Sequence, residues 1–160
     1  MKLVLLFALV PTLLACDQKQ GASPAEGGTP SAARPGPDLS KVDVCALVTP
    51  AEIEAVVRGA TEIQAKPEPS PGTSKACRYT AVSSPNGPTK AEIVLLVTGR
   101  GGYTMHKAHG KPIADLGDEA VDSQGKTVVL VGDLMLTTRE TNLDPPLVVA
   151  LFRKAIPRLR

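Results

Sequence analysis

The spacing of apolar positions changes from one segment of the chain to the next, and each change predicts an element. Residues 3–14 are almost wholly apolar, with no period. From Asp17 to about Ser40 the large aliphatics nearly vanish, Leu39 alone remaining. A helical period then begins in "VTPAEIEAVVRGA". Thr49 is the expected N-cap, Pro50 sits at N1 and Glu52 at N3, the arrangement of a capping box. Val48 and Ile53 occupy the positions of a hydrophobic staple. Gly59 suits the end of the helix.

After that helix the pattern turns to short β-rich runs. They predict an edge strand at 61–66 stopped by Pro67, a strand at 76–82, and a third in "AEIVLLVTG" that forms a hairpin with it across "SSPNGPTK". The stretch "GRGGYTMHKAHGKPIADLGDEAVDSQGK" reads as irregular, with room for a short helix at 104–109. "TVVLVGDLMLTTRE" is the clearest strand pair, with Gly132-Asp133 as a two-residue turn of type II′ or I′. A last helix follows. Asp144 is its expected N-cap and Pro145 its N1 residue, and Leu147, Val148, Leu151, Phe152, Ala155 and Ile156 lie along one face. The reading is an α+β domain. An antiparallel sheet of about five strands is covered on one face by an N-terminal and a C-terminal helix.

Composition narrows the functional classes. Eighteen Lys and Arg against 16 Asp and Glu leave a net charge of +2, and there are two Tyr, two Phe and no Trp. A nucleic-acid binder needs a basic stripe and stacking aromatics, so none is expected as partner. The segment 17–40 is dominated by Pro, Gly, Ala and Ser and cannot bury enough surface to offset its ordering entropy. It reads as a disordered tether with an r.m.s. span of roughly 27 Å.

The N-terminal run follows Met1-Lys2 and is too short to span a bilayer, which takes about 20 apolar residues. It reads as a secretory signal over residues 1–15. Leu13-Leu14-Ala15-Cys16 resembles the lipobox of bacterial lipoproteins. The resemblance implies cleavage before Cys16, lipidation of its thiol, and attachment of residues 16–160 to a membrane on its extracytoplasmic side. A plain signal peptide with an incidental cysteine is the alternative. Which membrane of the envelope carries the anchor stays open.

With Cys16 assigned to lipid, Cys45 and Cys77 remain for an exported domain over residues 41–160, where disulfides persist. They are expected to bond. Closing a loop of that length is worth about 3.7 kcal/mol in the chain-entropy model. The spacing is not that of a redox-active C-x-x-C pair.

"CALVTPAEIEAVV", "ACRYTA" and "IADLGDEAV" together resemble a group of small bacterial envelope lipoproteins. Their shared pattern is matched at Cys45, Leu47, Thr49, Glu52, Cys77, Tyr79 and Leu116 to Ala120, with Val48 where a second Leu is usual. This resemblance implies fold, disulfide and location. It supplies no active site.

Reactive groups are sparse. Met105, His106 and His109 form the one cluster of soft and nitrogen ligands, weak candidates for copper or zinc if helical. Asp115, Asp118, Glu119 and Asp122 do not have EF-hand spacing and read as a solvated turn. "GKT" at 125–127 lacks the earlier glycine of a P-loop. No G-x-S-x-G precedes a helix. The expectation is a lipid-anchored, non-catalytic binding or protein-interaction domain without a cofactor. Its partners would be the membrane through the anchor, and an envelope protein or a small hydrophobic ligand. The alternative is a periplasmic copper or zinc handler using Met105, His106 and His109.

Overall fold

The computed structural model describes residues 38–160 apart from Pro85. Cys16 and the expected signal segment and tether, up to residue 37, lie outside the described residues.

Local chemistry starts the first helix where the sequence predicts. In α1 (Pro50–Val56) the Glu52 amide donates to the Thr49 hydroxyl at 3.3 Å, and Glu52 Oε2 accepts from the Thr49 amide at 2.8 Å. Both arms of the capping box are made. Val48 and Ile53 are fully buried beside it. Gly59, two residues past the C-cap Val57, takes φ +74° and turns the chain into the sheet.

Seven strands follow: β1 (Glu62–Glu68), β2 (Lys75–Val82), β3 (Thr89–Gly99), β4 (Lys111–Pro112), β5 (Glu119–Ser123), β6 (Lys126–Val131) and β7 (Leu134–Thr141). A short helix, α2 (Tyr103–His109), lies between β3 and β4, and α3 (Pro145–Ala155) closes the chain. The strands form one antiparallel sheet in the order β1-β2-β3-β7-β6-β5-β4. It is two meanders, β1–β3 and β4–β7, joined where β3 pairs with β7.

The domain is α+β as expected, but the strand count is seven and not about five. Both additional strands lie in the stretch that reads as irregular. β4 is only two residues long, so its sequence holds no period. β5 is created by the turn that follows it. Gln124 and Gly125 both take positive φ, 56° and 78°, as a type I′ hairpin requires. Asp122 Oδ1 accepts from the Gly125 amide at 3.0 Å and fixes that turn. In the β6–β7 turn only Gly132 has positive φ, which selects type II′.

Two further boundaries differ. β1 does not stop before Pro67 but continues to Glu68, because an edge strand tolerates a missing donor. β4, the opposite edge, carries Pro112, so each edge of the sheet is blunted against further strands. Order also begins before residue 41: Leu39 is buried in the main core.

The main core lies between the sheet and the layer of α1 and α3. Cys77, Tyr79, Ile93, Leu95, Val129, Leu136, Leu151 and Phe152 meet there. Cover is not confined to that one face, which corrects the expectation from sequence. α2 places Tyr103 over Val121, Val128, Leu130 and Met135 on the reverse side. β6 is therefore apolar at successive positions, because both of its faces are covered.

Candidate functional site

Cys45 and Cys77 are joined, with their Cα atoms 5.2 Å apart and a sequence separation of 32. The bond belongs to a larger device. Residues 38–48 run across the helix side of the sheet, with Leu39, Val44, Leu47 and Val48 buried in the main core. Asp43 accepts from the Cys45 amide at 3.0 Å and opens a 3-10 turn at Val44–Ala46.

Lys75, Cys77 and Tyr79 alternate along β2 and so point to one face. Lys75 Nζ donates to the carbonyls of Ser40 and Val42 at 3.0 and 2.9 Å. Cys77 holds Cys45. The Tyr79 hydroxyl donates to the Val44 carbonyl at 2.6 Å. Burial pushes the Tyr79 phenol up to about 12. A cleft of about 410 Å³ opens between this strap and the far end of the β1–β2 hairpin, and Cys45, Glu68 and Lys75 are among its walls.

The Met105, His106 and His109 cluster does lie on a helix, α2, but its members face different surroundings. Met105 is 74% exposed. His106 is partly buried, with Nδ1 3.2 Å from the Ser123 hydroxyl. His109 is exposed at the last turn. Among the described residues no group of three His, Cys, Asp or Glu is placed to hold a metal ion.

The acidic segment 115–122 has separate structural duties. Asp118 accepts from the Gly132 amide at 2.6 Å and from Arg160 at 3.0 Å. Glu119 accepts from Lys107 at 2.5 Å. Asp122 fixes the β5–β6 turn. Gly117 between them takes φ +67°, where a Cβ would lie 2.4 Å from Val129 Cγ1 and 2.7 Å from the Leu130 carbonyl.

Sequence reasoning missed the charge network on β1, β2, β3 and β7, on the face opposite α1 and α3. Arg78 gives its Nε to Glu68, one terminal nitrogen to Glu92 and the other to Glu140, the last at 3.0 Å. Arg139 pairs with Glu68 and, at 3.8 Å, with Glu140. Arg78 holds the Glu68 carboxyl below its usual range by hydrogen bonding and charge. Val94 is cross-strand partner to both Arg78 and Glu140 and is wholly buried on this face. The partners come from four strands, and Arg139 and Glu68 stand 71 residues apart, so no local pattern announces them.

Two smaller grooves lie near the β4 edge. One, of about 320 Å³, runs between α2 and β5 past Tyr103, Lys107 and Val121. The other, of about 350 Å³, runs along α3 past Pro145, Pro146, Val149 and Arg153. Ile113 lines both.

No family model, curated protein or solved structure matches this chain.

Proposed function

We propose that the chain is a lipoprotein of the bacterial cell envelope, anchored through Cys16, whose folded part is a non-catalytic binding or protein-interaction domain. The observation that carries this reading is the division of labour among three cysteines. Two are joined inside the domain. The third ends a short apolar run in the sequence Leu-Leu-Ala-Cys. A structural disulfide suits an oxidising compartment, and the compartment suits export. Two or more acyl chains on the N-terminal cysteine hold a protein at a membrane stably, which one chain does not. The grooves beside β4 have apolar walls and charged rims, which suits an envelope protein segment or a small hydrophobic ligand.

Expressing the full chain in a bacterial host fed an alkyne fatty acid tests the anchor. Label on the wild type in the membrane fraction, lost in Cys16→Ser, is the expected result. Unlabelled, freely soluble wild type would overturn it. In-cell crosslinking of the same protein tests the binding role: the expected result is one enriched envelope protein, absent when the groove is filled by Val149→Trp.

A further inference from the structure

We propose that residues 38–46 form a clasp that is released when the Cys45–Cys77 disulfide is reduced, so that the junction between tether and domain is a redox-sensitive device. The release itself does not depend on how the chain is anchored.

Three observations carry it. The ties run in order along the strap: Lys75 holds residues 40 and 42, Tyr79 holds residue 44, and the disulfide holds residue 45. The covalent tie is the innermost, so any opening from the tether side stops there. The outer ties are few and only two strap side chains before Cys45, Leu39 and Val44, are buried, so without the bond little holds the strap down. The two sulfurs are also unequally accessible. Cys45 is half-buried on the wall of the 410 Å³ cleft, whereas Cys77 is fully buried beneath the strap.

The chemistry is thiol–disulfide exchange with a dithiol reductant. One thiolate of the reductant attacks Cys45 Sγ from the cleft. The S–S bond breaks, and Cys77 leaves as a thiolate that takes a proton. The reductant's second thiolate then displaces Cys45, which is also protonated, and the reductant leaves as a disulfide. Two electrons pass from the dithiol to the pair. The strap then lifts, baring Tyr79 and Cys77 on β2. It adds nine residues, about 30 Å of extended chain, to the segment before it.

The test uses the purified folded protein, dithiothreitol without denaturant, and two readouts by mass spectrometry. Release predicts that iodoacetamide alkylates Cys77 within tenfold of the rate at Cys45. It also predicts that amide exchange at residues 44–47 accelerates at least tenfold, while amides of β3, β6 and β7 keep their rates. Alkylation of Cys45 alone would show that the strap stays down and would overturn the proposal. So would uniform acceleration through the sheet, which marks global unfolding, or a disulfide that dithiothreitol leaves intact in the folded protein.

Discussion

Glu52 grips Arg158 through both carboxylate oxygens, each contact at 2.9 Å. The same carboxylate closes the capping box of α1, and the same guanidinium donates to the Leu47 carbonyl at 2.7 Å and the Lys154 carbonyl at 3.1 Å. One ion pair therefore joins the start of the first helix to the 3-10 turn that follows α3, Ile156–Arg158, across 106 residues. A bidentate pair with both ends otherwise hydrogen-bonded loses less side-chain entropy than an isolated surface pair.

That pair makes stability depend on acid. Arg158 holds the Glu52 carboxyl at about 2, below the ordinary 4.5 of a glutamate. A depressed carboxyl contributes stability above its unfolded value and loses it as pH falls toward its folded value. Glu52→Gln should cost about 1–2 kcal/mol at pH 7, after discounting for partial solvent screening. The difference from wild type should shrink as pH falls from 4.5 toward 2. Urea unfolding of both proteins at several pH values measures it; a pH-independent difference would reject the assignment.

Tyr79 gives the alkaline counterpart. Its phenol is raised from 10 to about 12 by burial. A raised tyrosine contributes its stability fully below pH 10 and loses it as pH climbs toward 12. Tyr79→Phe strands the Val44 carbonyl and should cost about 1–2 kcal/mol at neutral pH. Near-ultraviolet phenolate absorbance during an alkaline titration should show a component near pH 12 in wild type that is lost in the variant, where only Tyr103, itself raised by burial, still titrates.

Two glycines with positive φ separate backbone strain from steric clash. A Cβ at Gly125 would have nothing within 4 Å, whereas one at Gly117 would meet Val129 and the Leu130 carbonyl. Gly125→Ala should cost about 1 kcal/mol, the conformational term alone. Gly117→Ala adds overpacking and should cost about 3 kcal/mol or more. Thermal midpoints of the two variants decide it, and equal shifts would mean that the β6 contact yields freely.

Arg78 serves three glutamates at once, so Arg78→Met should lower the urea midpoint and make it less sensitive to salt. Adding sodium chloride to wild type should weaken the network in the same direction. A variant with an unchanged midpoint and unchanged salt response would show that the network carries no stability.

Much of the fold was legible from local chemistry. Thr49, Pro50 and Glu52 wrote the start of α1 because a capping box needs only four consecutive residues. Gly132-Asp133 marked the β6–β7 turn because positive φ selects glycine. The pairing of Cys45 with Cys77 was expected from the cysteine count, once Cys16 is read as a lipid attachment and the domain as exported. Helix starts, the strong hairpin, the fold class and the disulfide were thus written in the chain itself.

The remainder needed the folded molecule. β4 and β5 exist because β6 offers β5, and β5 in turn offers β4, a hydrogen-bonding partner; two to five residues carry no period of their own. α2 covers the reverse face because Tyr103 finds a small second core there. Arg78 reaches Glu68, Glu92 and Glu140 only after four strands have been set side by side. The common reason is range: a cap or turn is settled by neighbours a few residues away, whereas an edge strand, a second core or a cross-strand charge network exists only once distant segments meet.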